Sequence, residues 1–344
     1  MMRMVLAFLL YGGLCTCAIA RAADGPLART VDRILIVRAD GVNFQETVNG
    51  LEHELGADFI CDERILNSDT AAAKPSGKAP ATIATAEQLY AAIAQSRPKA
   101  LVLMDNDAIR MYGDVQKQWK DSVPFPPSIS LMAIRVDKAI SKLKRATGIF
   151  YEVPGVTILV NLRSLVAEPV HKVGVIMRPS MADFVRESAK WCKLENIELV
   201  PFEVAEDRMD VARAVRTGVR RLRERDKVDA LWILNDNFFL TQDIIGGGWL
   251  PALERFHRPV LVGVENFVTL RSRFGTFAIL PDHYGLGVQT AGMILRLKEE
   301  EWEMDGPPKV EQPLAVYKVL NLEQARKSAH VKESALIEVD KVIK

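Results

Sequence analysis

The sequence predicts an α/β protein of two lobes, each a doubly wound parallel sheet with helices on both faces. Three observations predict it. Short apolar runs alternate with longer amphipathic stretches along most of the chain, the pattern of strand–helix units whose strands are buried on both faces. Ten such runs are too many for one small sheet, and 344 residues with 49% hydrophobic side chains can fill two cores. The runs also fall into two sets of similar rhythm, Ile34 to Tyr151 and Val173 to Leu280, with no short repeat.

The first 22 residues stand apart. Met1 to Met4 carry one Arg, Val5 to about Ala20 is apolar, and Ala20-Arg21-Ala22 supplies the small residues of a signal-peptidase site. The apolar part is short for a transmembrane helix and rich in Gly and Cys. A cleaved secretory signal over residues 1–22 is expected, with an uncleaved anchor as the alternative. Cleavage would remove Arg3 and Arg21 and no acid, taking the formal charge from +1 to −1. No basic surplus is left for nucleic acid.

The first lobe's strands are expected at Ile34–Val37, Phe59–Cys61, Ala100–Met104, Ile129–Ile134 and Ile149–Tyr151. The second lobe's are expected at Val173–Met177, Glu198–Phe202, Ala230–Leu234, Val260–Val264 and Phe277–Leu280. Phe44–Leu55, Ala86–Gln95, Met181–Leu194 and Met209–Arg223 read as helices; in the last, Val211, Val215, Val219 and Leu222 form an apolar stripe. The Arg-rich run Arg208–Arg225 alternates with that stripe and with acids, so it reads as a solvated helix face. Ser68–Thr85 has hardly an apolar anchor and reads as a mobile surface loop. Gly246-Gly247-Gly248 predicts a break or flexible corner.

In open parallel sheets ligands bind at the carboxyl ends of strands, where helix N-termini also point. Arg38, Asp40 and Asn43 follow the first strand; Asp105, Asn106 and Asp107 follow Met104; Arg135 and Asp137 follow Ile134. Arg178 and Ser180 follow Met177; Asp236, Asn237 and Phe238 follow Leu234; Glu265 follows Val264; Asp282, His283 and Tyr284 follow Leu280. Any one of them reads equally as a helix cap. Seven polar strand ends together predict a polar cleft, if the lobes face each other. The sequence carries no Gly-x-Ser-x-Gly elbow, phosphate loop, Gly-x-Gly-x-x-Gly or His-Glu-x-x-His, and its five His lack metal-ligand spacing. It implies no enzyme, no cofactor and no metal.

Val173-Gly-Val-Ile-Met-Arg-Pro-Ser180, "ALWILNDNFF" and "PVLVGVENFV" resemble segments of a family of ABC-transporter substrate-binding proteins linked to tryptophan and other amino acids. "LPDHYGLGVQTAGMILR" is similar to that family's Asp-Tyr-Tyr-x-Leu-Gly-x-Gln-Thr-Ala helix start, and "LAVYKVLNLEQARKSAHVKESAL" to its ending. The resemblance covers Ile149 to Lys344 well and Ile34 to Arg145 in outline. Met104-Asp105-Asn106-Asp107-Ala108 stands where the family usually has Gly-Thr-Pro-Ala, and Arg135-Val136-Asp137 where it has Thr-Asp-Pro. Arg38-Ala39-Asp40 likewise departs from its His-Pro-Ala-Leu-Asp. First-lobe contacts therefore do not transfer.

The resemblance implies the type I periplasmic-binding-protein fold. Its lobes would be residues 30–152 plus 283–310 and residues 153–282 plus 311–344. Crossings are expected near Glu152–Gly155, Leu280–His283 and Glu311–Tyr317. The implied role is an extracytoplasmic solute-binding protein of an ABC importer, a monomer that captures a small polar or amino-acid-like ligand by hinge closure and delivers it to a membrane permease. A periplasmic sensory module coupled to a membrane kinase or chemoreceptor is the alternative. Arg178 or Ser180 would take a carboxylate, Asp236, Glu265 or Asp282 an ammonium, and Phe238, Phe267 or Tyr284 the side chain. Asp40, Asp105, Asp107 and Asp137 hint at a cationic or multi-amine ligand. Asp236→Ala or Tyr284→Ala is expected to weaken binding without unfolding. Gly285, Gly287, Ala291 and Gly292 would let their helix pack closely. Cys61 and Cys192 map to different lobes, which favours free thiols.

Overall fold

The first strand, β1 (Asp32–Arg38), shows why the apolar runs are unbroken. Ile34 and Ile36 point into one core and Leu35 and Val37 into another, on opposite faces of the same sheet. The computed structural model describes residues 31–67, 80–119, 125–206, 210–269 and 274–344. The expected signal segment and residues 68–79 of the Ser68–Thr85 stretch lie outside them.

After β1 come α1 (Val42–Leu55), β2 (Phe59–Leu66), β3 (Ala81–Ile83), α2 (Ala86–Ser96), β4 (Ala100–Met104) and α3 (Asn106–Gln118). Then follow β5 (Ser128–Leu131), the single turn α4 (Val136–Ala139), β6 (Ala146–Ile149) and α5 (Gly155–Leu165). The chain continues through β7 (Lys172–Met177), α6 (Ala182–Leu194), β8 (Glu198–Glu203), α7 (Val211–Glu224) and β9 (Ala230–Trp232). The short α8 (Gln242–Ile244) and α9 (Leu250–Leu253), β10 (Val260–Val262), β11 (Phe277–Pro281) and α10 (His283–Glu299) come next. The last elements are β12 (Lys309–Glu311), β13 (Val316–Asn321), α11 (Leu322–Ser328) and β14 (Lys341–Ile343).

The strands form two seven-stranded sheets among the described residues, in the orders β12-β6-β5-β4-β1-β2-β3 and β14-β13-β11-β10-β9-β7-β8. Every pairing in the first is parallel; in the second only β13 against β11 is antiparallel. Asp32–Lys344 holds together as one unit. The chain crosses between the sheets after β6, after β11 and after β12, as expected for a three-crossing hinge.

Four details differ from expectation. The sequence suggested about five strands per lobe; β3, β12 and β14 are extra strands at sheet edges and β13 lies between β14 and β11, all too short or too polar to read as apolar runs. β3 occupies part of the stretch read as a loop, because Ile83 is buried and Thr85 caps α2, its hydroxyl accepting from the Gln88 N–H. β5 stops at Leu131, since Met132 and Arg135 adopt left-handed φ of 55° and 51°. Gly246-Gly247-Gly248 does not break its helix; Ile245–Trp249 is one π-helical turn joining α8 to α9. Its Gly248 lies where an added Cβ would stand 3.1 Å from the Ala212 backbone of α7.

The first-lobe helices α1 and α10 touch backbone to backbone. A Cβ on Gly287 would lie 2.0 Å from the Thr47 carbonyl oxygen, and one on Gly50 2.2 Å from that of Tyr284. Gly50 was not singled out from the sequence, whereas Gly292, which was, has only Arg296 Nη1 at 4.0 Å. Cys61 and Cys192 are free, and each packs with a different sheet. Burial pushes both thiols up, to about 12 and about 11, the carboxylates of Glu52, Glu63 and Asp62 adding to the first. At both positions burial favours the neutral thiol over the nucleophilic thiolate.

Candidate functional site

Parallel pairing puts the C-terminal ends of β4, β5 and β6 on one edge of the first sheet, and those of β7, β9 and β10 on one edge of the second. Side chains meet between these edges. The Arg135 guanidinium, just past β5, lies 5.7 Å from the ring centre of Phe184 in α6. A cavity of about 340 Å³ opens there, with Arg135, Asp137 and Phe150 on the first-lobe side and Asp183, Phe184 and Trp191 of α6 opposite. A second cavity of about 20 Å³, room for one water, is bounded by Tyr151, Trp232 and Asn235. Glu152, on the first crossing, lines both.

Arg135 organises the first-lobe wall. Its guanidinium donates to both carboxylate oxygens of Asp137, each at 3.2 Å. Burial alone would raise the Asp137 pKa, but these bonds and the adjacent charge hold it below the usual carboxylate value. The left-handed backbone of Arg135 turns its own N–H to Glu152 Oε1, at 2.7 Å. The other oxygen, Glu152 Oε2, is buried with no hydrogen-bond partner. The Ser128 and Ser130 hydroxyls share that condition among the described residues, but neither is ionisable. Burial pushes the Glu152 carboxyl up, against the Arg135 N–H and charge.

The other candidates lie as follows. Arg38 is buried, with Nε 2.6 Å from Glu63 Oε2 and Nη2 2.7 Å from Gln45 Oε1; Asp40 beside it is exposed. Asp105 caps α3 by accepting from the Asp107 and Ala108 N–H groups, and Asn106 brackets the Ile134 backbone through two 2.9 Å bonds. Arg178 donates to Asp236 at 2.8 Å and lies 5.3 Å from the Phe238 ring centre. Asp236 is buried and also accepts from the Phe238 N–H. The Ser180 N–H donates to Glu206, Asn237 is exposed, and Glu265 pairs with Lys341 at 2.7 Å. Phe267 packs on Phe274.

Asp282 alone bridges β11 and α10, and accepts from the Gly285 N–H as the helix cap. Tyr284 is therefore inside the helix, and its hydroxyl meets His53 of α1 instead of standing at the cleft floor. Its neighbour His283 takes the hinge position. Its Nε2 lies 2.9 Å from the Tyr151 hydroxyl, joining the first crossing to the second, and Glu46 is 3.9 Å from Nδ1. Sequence reasoning passed over Glu152, Phe184, Trp232 and Tyr151. Only the place of Glu152, one acid at an expected crossing, could have marked it.

No family model and no curated protein matches the chain. Solved structures do. A substrate-binding protein with adhesive properties from Clostridium difficile, in a ligand-free open form, matches at a TM-score of 0.62 and 13% identity over 91% of this chain and all of that one. The fold is that of the type I periplasmic binding proteins. A Streptococcus pneumoniae ABC domain in complex with L-Trp matches this binding-protein fold at 0.55 and 15% identity, over 91% of this chain and 99% of that one. A conserved domain protein from Vibrio cholerae matches at 0.54 and 16%, with the same coverage. Among the described residues, no helix is long and apolar enough to cross a membrane.

Within this binding-protein fold, His283 sets a pH dependence. Burial lowers its pKa below 6.5, while Glu46, Asp282 and Glu265 act to raise it. Between the lowered value and 6.5 the unfolded chain carries a proton that the folded chain does not, so acidification favours unfolding. Thermal melts from pH 7.5 to 5.5 should show a smaller loss of stability for His283→Gln than for the parent. Parallel losses would remove His283 as the cause.

Proposed function

We propose that this is an extracytoplasmic solute-binding protein that captures a small polar ligand between its lobes and presents the closed form to an ABC permease. The observation that carries this reading is the inter-lobe cavity of about 340 Å³, walled by both lobes and floored by a crossing residue. A ligand that touches Arg135 or Asp137 on one side and Phe184 on the other favours closure by its differential affinity for the closed state. The units that move would be residues 30–152 plus 283–310 and residues 153–282 plus 311–344. Arg135 and Asp137 are retained as ligand contacts. Arg38, Asp105, Asn106, Asp236, Asp282 and Tyr284 are reassigned to holding the cleft's shape, since each is bonded within the protein and, unlike Arg135 and Asp137, lines neither cavity. Residues 1–22 would supply the export signal.

A membrane permease as partner and a role without enzymatic chemistry are part of this reading, which the description of the Clostridium difficile structure as a substrate-binding protein supports. Thermal unfolding of the purified protein against amino acids, polyamines, nucleosides and small carboxylates tests the reading. A ligand at about 100 times its Kd adds about 2.7 kcal/mol, a rise of roughly several degrees. Small-angle scattering with the responding solute should show contraction. A flat panel, with nothing released on denaturation, would overturn the binding role.

A further inference from the structure

We propose that the ligand of this cleft is an organic cation, an ammonium or guanidinium carried on a flat apolar group, and that Glu152 is the residue that selects it. This rests on the binding role proposed above. The groups that would hold a ligand carboxylate are already occupied by the protein's own acids. Arg38 is held by Glu63, Arg135 by Asp137, and Arg178 by Asp236. Some backbone donors near the cleft are taken in the same way, although the start of α5, where Gly155 and Val156 line the larger cavity, carries no side-chain cap. Asp105 occupies the start of α3, Asp282 that of α10, and Glu206 accepts from the Ser180 N–H before α6. An anion entering here would meet paired arginines and the carboxylates of Glu152, Asp183 and Glu187.

A cation meets the opposite. Glu152 Oε2 is buried and unpartnered, on a residue lining both cavities. The charged groups that bear on it, Arg135 and Asp137, are paired with each other. Phe150, Phe184 and Trp191 line the larger cavity, and Trp232 the smaller one. Their faces can take a flat group by stacking and a positive charge by cation–π attraction. The exposed acids Asp183 and Glu187 pair with their helix neighbours Arg186 and Lys190, which adds no free positive charge to the wall. A ligand N–H bound to Oε2 would supply the hydrogen bond that the buried oxygen lacks.

Matched ligands of different charge test this at pH 7.5. The series are tryptamine, L-tryptophan and indole-3-acetate; phenethylamine, L-phenylalanine and 3-phenylpropanoate; and benzylguanidine with 4-(guanidinomethyl)benzoate. In at least one series the member lacking a carboxylate should raise Tm and bind more tightly than its partners by calorimetry. Glu152→Gln, which keeps an acceptor for the Arg135 N–H, should weaken that cation by about thirtyfold or more and yet melt no lower than the parent without ligand, because a buried charge has been removed. Stronger binding of an amino acid or carboxylate member overturns the cation assignment and leaves the binding role standing. Equal affinity in Glu152→Gln removes Glu152 from the site. No response from any cation, when another solute of the wider panel binds, also overturns the proposal; silence from every solute, with nothing released on denaturation, takes the binding role with it.

Discussion

Gly287→Ala is expected to destabilise the protein, although alanine is the better helix former. In a helix interior, Gly to Ala should add about 0.5–1 kcal/mol. At Gly287, however, the new Cβ would stand 2.0 Å from the Thr47 oxygen and 2.6 Å from the Leu51 nitrogen, both backbone atoms of α1. No side-chain rotation relieves that, so α1 and α10 must separate. Overpacking typically costs about 1–3 kcal/mol, and a clash with rigid backbone belongs at the upper end. The steric cost therefore exceeds the propensity gain, and the urea midpoint should fall. Gly292→Ala, on the same helix, meets no atom closer than 4.0 Å. It should raise the midpoint by the propensity difference. Two changes of one sign would show that the helix–helix approach is not what limits residue 287.

Asp236→Ala is expected to unfold the protein more easily, not merely to empty the cleft. Asp236 is buried, bonded to Arg178 and to the Phe238 N–H. Removing one partner of a buried ion pair costs about 3–5 kcal/mol. The Arg178 side chain is 31% exposed and can turn to water, so about 3 kcal/mol is the better expectation. Asp236→Asn keeps an acceptor for the Phe238 N–H and should lose roughly half of that. Denaturant unfolding of both variants checks the order. An alanine variant as stable as the parent would return Asp236 to the list of groups available to a ligand.

The fold was legible because its strands are buried on both faces. Ala100–Met104 was placed to the residue, and Lys172–Met177 to within one, because a continuous apolar run has no other soluble use. The edge strands β3, β12 and β14 were not legible, since a three-residue strand on a sheet edge needs little burial. The site was harder to read. A polar residue after a strand looks the same whether it caps a helix, like Asp105, holds a neighbour, like Asn106, or faces a cavity, like Asp137. What separates these roles is the partner across space: Glu63 for Arg38, His53 for Tyr284. Phe184 and Trp232 were hidden for the converse reason, because an aromatic on a helix or strand reads as core until a second lobe stands opposite.

Gln289 sits inside α10, yet its side-chain amide donates to the Gln312 carbonyl and accepts from the Leu314 N–H. The Asp282 N–H donates to the Ala315 carbonyl. The Phe150 N–H donates to the Glu311 carbonyl, and Tyr151 bonds to His283. The crossings are thus laced to one another rather than running as separate tethers. Three loose tethers would permit the halves to slide, tilt and screw. Laced tethers behave as a leaf hinge: torsional and sliding stiffness is high, and one bending direction stays soft. In the proposed closing motion the halves would swing about a single axis, so each capture would return the Arg135 wall to the same alignment with the Phe184 wall.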